Sequence, residues 1–255
     1  MYPYLFGIEW LEMYNIFMFI GMVVALLLLK IYAVKLNLPY DVFRFYLILS
    51  IVSIAIGLVA AFGFQQLYNY IDDLRNGVEY TPRGITFMGG LIGGALTFII
   101  GTKMFGNEEV KKQFYPMISI AMAAIAAAHF FGRIGCTMAG CCHGVETDSW
   151  IGIKFVTTRT KVIPTQLIEA IFLLVLASVL LYLLEKKKWQ YNLFIYAGSY
   201  AIFRFIIEFY RGDERGTFLP FFSPSQWQVI FMFIIVAIVF VFYLRKKKMD
   251  PMKHE

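Results

Sequence analysis

Charge is what this sequence has least of, and its scarcity decides the solvent. Charged residues make up 16% of the 255, hydrophobic residues 60%, and the mean hydropathy is +0.67. Soluble domains carry roughly 25% charged and 45–50% apolar residues. A water-soluble fold has too little polar surface to cover this composition, so lipid must be part of the solvent. The opening stretch, Met1-Tyr-Pro-Tyr-Leu-Phe-Gly-Ile-Glu-Trp, lacks a basic segment and a small-residue cleavage site. It does not read as a secretory signal, and the first helix is expected to remain in the mature protein. Internal repeats and low-complexity tracts are also missing. The net charge of +6 does not call for nucleic acid, because membrane proteins concentrate Lys and Arg in cytoplasmic loops.

Long apolar runs fill the chain instead. Against the roughly 20 apolar residues a spanning helix needs, the candidates are Tyr14–Val34, Val42–Tyr70, Ile85–Phe105, Phe114–Phe131, Leu167–Leu184, Tyr191–Phe209 and Trp227–Leu244. The expected fold is an all-α polytopic membrane protein of about seven transmembrane helices, one domain over 1–255. A small irregular or β loop region at 132–165 is expected between the fourth and fifth helices, where Trp150-Ile-Gly-Ile-Lys-Phe-Val-Thr alternates weakly.

Basic residues orient the chain. One set of loops carries Lys30, Lys35, Arg44, Lys103, Lys111, Lys112, Lys186–Lys188, Arg245, Lys246–Lys248 and Lys253. The other carries Arg75, Arg83, Arg133, Lys154, Arg159, Lys161, Arg211 and Arg215, with Arg204 inside a helix; 14 + 8 + 1 accounts for all 23. The positive-inside rule then puts the N-terminus and the 132–165 loop outside and the C-terminus in the cytoplasm.

Several polar residues sit where lipid should be. Tyr200, Arg204, Glu208 and Arg211 recur at spacings of four, four and three, which places them on one helical face. Charges at membrane depth cost roughly 2.5–3.5 kcal/mol each on insertion scales. Either Arg204 and Glu208 form an internal ion pair that holds helices together, or the stripe lines a cavity where arginine meets an anion. Gln166 and Glu169 follow Pro164; Glu169 is a first-turn charge favoured by the dipole or points into the same cavity. Gly90 and Gly94, in Phe87-Met-Gly-Gly-Leu-Ile-Gly-Gly, form a small-residue face, suited to helix packing or to close approach by a headgroup at Gly89 and Gly90.

The densest signal is Gly132-Arg-Ile-Gly-Cys-Thr-Met-Ala-Gly-Cys-Cys-His-Gly. Its four glycines permit a tight, irregular backbone. Cys136, Cys141, Cys142 and His143 fall within eight residues, with His129 about two helical turns before Cys136. Zinc ligation, a disulfide from Cys136 to one of the other two, and a pocket wall with one reactive thiolate beside Arg133 are the three readings. C-x4-C-C-H is not a common zinc spacing. From their place directly after Arg133 the cysteines are expected to line or cap a lipid headgroup site, with no metal and no cofactor.

In this order, Phe-Met-Gly-Gly-Leu-Ile-Gly, Gly-Arg-Ile-Gly, Pro-Thr-Gln-Leu-Ile-Glu and Arg-Phe-Ile-Ile-Glu-Phe-Tyr-Arg resemble the prolipoprotein diacylglyceryl transferase family, in a cysteine-bearing variant. The resemblance implies a transferase of lipoprotein biosynthesis in the bacterial inner membrane. It would move a diacylglyceryl group from phosphatidylglycerol or a like phospholipid to an acceptor such as a lipoprotein-precursor cysteine, releasing glycerol phosphate. It carries functional positions onto Arg133, Tyr200, Arg204, Glu208, Arg211, Gln166 and Glu169. The chain departs from the pattern at Met88, where the family has histidine, at Cys136, Ala139 and Cys141, where it has polar residues, and at Ala61, where it has arginine. With no histidine at Met88, His129, His143 and Glu208 become the candidate bases. A lipid-binding protein or lipid or small-solute transporter on the same fold is the alternative, since the acceptor, protein or small molecule, is not fixed by these motifs.

Overall fold

A computed structural model describes residues 4, 11–82, 84, 86–212 and 221–249. Arg83, Ile85, Arg215 and Lys253 from the sequence analysis, the side chain of Met88 and most of the opening decapeptide lie outside the described residues. The order of helices is α1 (Met13–Lys35), α2 (Tyr40–Asn76), α3 (Phe87–Phe105), α4 (Glu108–Lys112), α5 (Phe114–Ala139), α6 (Thr165–Glu185), α7 (Asn192–Ile207) and α8 (Pro224–Met249). Single 3-10 turns flank α7 at Trp189–Tyr191 and Glu208–Tyr210. Six helices are long and apolar enough to cross a membrane: α1, α2, α5, α6, α7 with its flanking turns, and α8. The 19-residue α3 is a shorter apolar helix; at 1.5 Å per residue it measures about 28 Å, close to the hydrocarbon thickness. The seven apolar runs of the sequence are thus six spans and one shorter helix, with α4 as an added turn between α3 and α5.

The chain divides into two compact units, 1–32 with 118–255 and 33–117. In the second, α2 and α3 pack through small residues. A Cβ at Gly57 would meet the Gly90 carbonyl at 3.0 Å, and one at Gly89 would meet the Ala60 carbonyl at 2.8 Å. Gly89 and Gly90 therefore abut α2. Ala61, buried beneath them, accepts a hydrogen bond from Thr86 N at 3.1 Å. At the other end of this unit Tyr46, fully buried, stacks on Phe98 and donates its hydroxyl to Val110 O at 2.9 Å. An apolar groove of about 500 Å³ runs between α2 and α3 past Leu49, Val52 and Ile100; it suits acyl chains, not a headgroup.

In the first unit Asn192 is wholly buried and ties three helices. Its Nδ2 donates to Ser119 O on α5 at 3.3 Å and to Leu180 O on α6 at 3.2 Å. Phe172 and Phe203 stack at 4.1 Å across α6 and α7. Much of the outward surface is apolar, as on Phe19, Leu27, Ile235 and Phe242, and this is the face a bilayer covers.

The largest difference from the sequence reading is in α5. It was expected to end at Phe131, with glycines opening an irregular loop at 132; it continues to Ala139. Gly132 and Gly135 are helical packing glycines, not turn glycines. A Cβ at Gly135 would sit 3.2 Å from both Tyr14 O and Phe17 Cβ of α1. The helix stops only at Gly140, whose φ of +71° is open to glycine at no steric cost. Arg133 and Cys136 are consequently placed by a helix, and the loop proper runs from Gly140 to Pro164. Among the described residues that loop forms no strand, only isolated bridges pairing Glu146 and Ile153 with Val162 and Gly144 with Arg211.

Candidate functional site

The site lies in the first unit, where α5, α6 and α7 bring ionisable groups together away from water. Glu169, one turn into α6, has no exposed surface. Its Oε1 lies 3.0 Å from Arg133 Nη2 on α5 and 3.7 Å from His129 Nε2 one turn earlier, and it accepts the Tyr200 hydroxyl of α7 at 2.9 Å. The His129 and Tyr200 rings are 5.2 Å apart, and Tyr196 stacks parallel on Tyr200. Glu169 points inward among α5, α6 and α7. Its binding of Arg133 was not foreseen, because that pairing depends on α5 continuing past Gly132.

A second cluster follows on the same face of α7. Arg204 Nη2 is 2.7 Å from Glu208 Oε2, and Arg211 Nε is 3.9 Å from the same oxygen. All three residues are buried. Ser223 Oγ donates to Glu208 Oε1 at 2.9 Å, and Gln226 Oε1 accepts from Ser223 N at 3.0 Å. Ser223 escaped the sequence analysis; its only mark was its place just before the last apolar run.

These clusters hold more donors than the protein uses. Arg133 Nε, Arg204 Nη1 and both side-chain atoms of Gln166 are buried without a hydrogen-bond partner among the described residues. Native proteins leave few such atoms, and water, an ion or a ligand commonly completes them. Two guanidinium groups with spare donors, at membrane depth, fit an anion with planar or tetrahedral oxygens.

The loop after α5 closes against this region. Gly140 N donates to Thr137 O and Cys141 N to Cys136 O, the paired bonds of a glycine-ended helix. The Gly140 carbonyl accepts from Thr157, and the Cys142 carbonyl from Thr165 Oγ1 at 2.9 Å. This folds Cys141 and Cys142 back over Cys136, and the three Sγ atoms lie within 4.8 Å of one another. All three are free thiols, Cys136 buried and Cys141 exposed. Hydrogen bonds from the Cys136 and Cys141 thiols hold the Cys142 thiol well below its ordinary pKa, aided by Arg211 beside it. His143 has its Nδ1 3.0 Å from Gly144 O and its ring stacked on Phe155. Of the sequence-derived residues, then, His129, Arg133, Glu169 and Tyr200 meet in one cluster and Arg204, Glu208 and Arg211 in a second. Gln166 is buried at the start of α6, and Gly89 and Gly90 belong to the other unit.

A helical membrane protein with paired buried arginines and carboxylates beside an apolar surface belongs to the class of integral enzymes that act on lipids. Sequence comparison makes this specific. A family model described as prolipoprotein diacylglyceryl transferase matches residues 3–243, and the chain belongs to that family. It is 32% identical over 199 residues to the phosphatidylglycerol–prolipoprotein diacylglyceryl transferase of Clostridium tetani, covering 73% of this chain and 77% of the relative. The enzyme of the same name from Dehalococcoides mccartyi is 29% identical over 251 residues, 92% of this chain and 90% of its own. That from Campylobacter jejuni subsp. doylei is 27% identical over 261 residues, 96% and 93%. The chain is thus a membrane transferase of a lipoprotein-modifying family.

Proposed function

We propose that this protein transfers a diacylglyceryl group from phosphatidylglycerol, or a phospholipid of like headgroup, to the thiol of a lipoprotein-precursor cysteine. The reaction takes place at the outer face of the bacterial inner membrane, with the loop after α5 outside and the Lys186–Lys188 turn inside. The relatives' names supply the substrates. The observation that carries the reading is the pair of buried, unpartnered guanidinium nitrogens, Nε of the half-buried Arg133 and Nη1 of the buried Arg204, each guanidinium held by a carboxylate.

Arg204 and Arg211 hold the phosphate, their orientation fixed by Glu208 and, through it, by Ser223. Glu169 positions Arg133 and receives Tyr200, so the donors are set before substrate arrives and reorganise little during reaction. The acceptor sulfur forms a bond to the terminal glycerol carbon of the diacylglyceryl group. The bond from that carbon to the phosphate oxygen breaks, and glycerol phosphate leaves with the electron pair. The leaving group is a stable phosphate ester, so charge stabilisation matters more than acid catalysis. His129, within reach of Glu169, takes the thiol proton. Cys136, Cys141 and Cys142 flank the headgroup on the side of Arg133 and Arg211.

The test is incubation of purified protein with phosphatidylglycerol and a peptide carrying a lipoprotein-type cysteine. Release of glycerol phosphate together with a diacylglyceryl-peptide is expected. Tightly co-purified phospholipid with no release under any condition returns the protein to the lipid-binding reading.

A further inference from the structure

Spacing alone argued against a metal at the cysteines, since C-x4-C-C is not a usual ligand pattern. The fold removes that objection. Gly140 ends α5 in the left-handed conformation, and the paired bonds from Gly140 N and Cys141 N turn the chain back along the helix it has just left. Residues five and six positions apart thereby become neighbours. Cys142 also has a positive φ, +62°, a conformation that costs a β-carbon residue about 1–2 kcal/mol. Such strain gathers where a side chain must be aimed. The two carbonyls on either side of this turn are clamped from outside the motif, Gly140 O by Thr157 and Cys142 O by Thr165. The three sulfurs lie within 4.8 Å; the S–S edge of a tetrahedral thiolate site with 2.3 Å metal–sulfur bonds is about 3.8 Å. Side-chain rotation of under about 1 Å per sulfur closes that gap. Among the described residues no His, Asp or Glu joins the three sulfurs as a fourth ligand: His143 has its Nδ1 at Gly144 O and its ring on Phe155, and His129 Nε2 lies by Glu169.

We propose that Cys136, Cys141 and Cys142 bind one thiophilic divalent ion, Zn2+ by ligand type, as a three-thiolate site whose open fourth position receives the acceptor thiol. Three protein ligands and one open position are the pattern of a zinc ion that takes part in chemistry, and thiolate sulfur selects zinc over magnesium or calcium. A thiol bound to zinc is deprotonated outright. The acceptor Cys–SH therefore gives up its proton on binding, to solvent water beside the exposed Cys141. Its zinc-held thiolate attacks the glycerol carbon, the C–O bond to phosphate breaks, and the new thioether, a weak ligand, leaves the metal. A metal that acidifies the nucleophile lessens the demand on a base. This inference rests on the transferase reading above for the fourth ligand, but not for the ion.

Two measurements separate the inference from that reading. The first is metal content of wild-type protein purified under reducing conditions with Zn2+ and desalted, then the visible spectrum after replacement by Co2+. About one zinc per chain is expected, with a sulfur-to-cobalt charge-transfer band of three-thiolate intensity, both lost in C136S/C142S and retained in H143A. The second is addition of a cysteine peptide to the cobalt form, which should shift the band, while the serine peptide should not. Zinc without transfer sinks the transferase reading and leaves the site. Transfer by protein carrying less than about a tenth of an ion per chain overturns the site. A mass 2 Da below that of the fully reduced chain, which marks a disulfide, likewise overturns it if the bond persists under reductant. If C136S/C142S fails to fold, the wild-type cobalt spectrum decides alone, since its intensity counts the thiolates.

Discussion

Arg133 on α5 sets its Nη2 3.0 Å from Glu169 Oε1 on α6, and the carboxylate it meets has no contact with solvent. One charge on each of two spanning helices is cancelled by the other, and the Tyr200 hydroxyl brings α7 to the same oxygen. The pair therefore holds three helices and fixes a guanidinium in one step. Removing Arg133 leaves Glu169 charged in a place without water, so that loss exceeds the loss of a single contact.

Glu169→Gln is expected to lower stability by up to about 3 kcal/mol, since the half-buried Arg133 then loses its carboxylate. Transfer activity should vanish with it. Thermal unfolding in detergent checks the first and glycerol phosphate release the second. Unchanged stability would mean that Arg133 has another partner.

Tyr200→Phe should be milder. It removes one hydrogen bond to a charged acceptor that keeps its arginine, a change of about 1.5–3 kcal/mol. The ring stack with Tyr196 survives. The variant should fold and retain Arg133–Glu169, so a drop in turnover without loss of bound lipid would assign Tyr200 to the reaction rather than to binding.

Arg204 and Glu208 separate structure from function more sharply. Arg204→Ala alone takes the nearer guanidinium from Glu208 and leaves it Arg211 and Ser223, at a cost of up to about 3 kcal/mol, while Arg204→Met with Glu208→Leu should recover part of that, as apolar replacement of a buried pair often does. The recovered protein should be inactive, because the phosphate has lost its guanidinium. Full activity in the double variant would make the pair a structural brace only.

The apolar runs made the spans legible, because the roughly 20-residue requirement leaves little freedom. The stripe at Tyr200, Arg204 and Glu208 was legible for the same reason that it is costly: charges seldom sit at membrane depth without purpose. What escaped was tertiary. Glycine carries no sign of whether it serves a turn or a helix contact, so Gly132 and Gly135 were assigned to a loop although they sit in α5. Cys136 moved onto a helix with them, and Arg133 came within reach of Glu169. Ser223 escaped because its partner, Glu208, is reached only when the last helix folds back.

Orientation has its own test. The positive-inside reading puts exposed Ser149 outside and exposed Lys187 in the cytoplasm. In intact cells an impermeant thiol reagent should add label over the parent protein in Ser149→Cys and none in Lys187→Cys. The reverse pattern would turn the whole molecule over and put the phosphate site on the cytoplasmic side.

The last prediction concerns why α5 needs glycine twice yet uses it differently. A Cβ at Gly132 would meet only Met18 Sδ, at 3.3 Å, the end of a flexible side chain that can swing aside. Gly132→Ala should therefore be neutral or add up to about 1 kcal/mol, the difference in helix propensity. At Gly135 the Cβ would press on Tyr14 O and Phe17 Cβ, both at 3.2 Å, and a backbone carbonyl cannot swing aside. Gly135→Ala should push α1 off α5, costing about 1–3 kcal/mol as overpacked sites do. Arg133 lies two residues before Gly135 and Cys136 one after it, so the same displacement moves the guanidinium and the first thiol together. Gly135→Ala should thus lose both transfer activity and bound zinc, whereas Gly132→Ala keeps both. Equal behaviour of the two variants would show that α1 does not set the position of α5, and that the site is held by Glu169 and Thr165 alone.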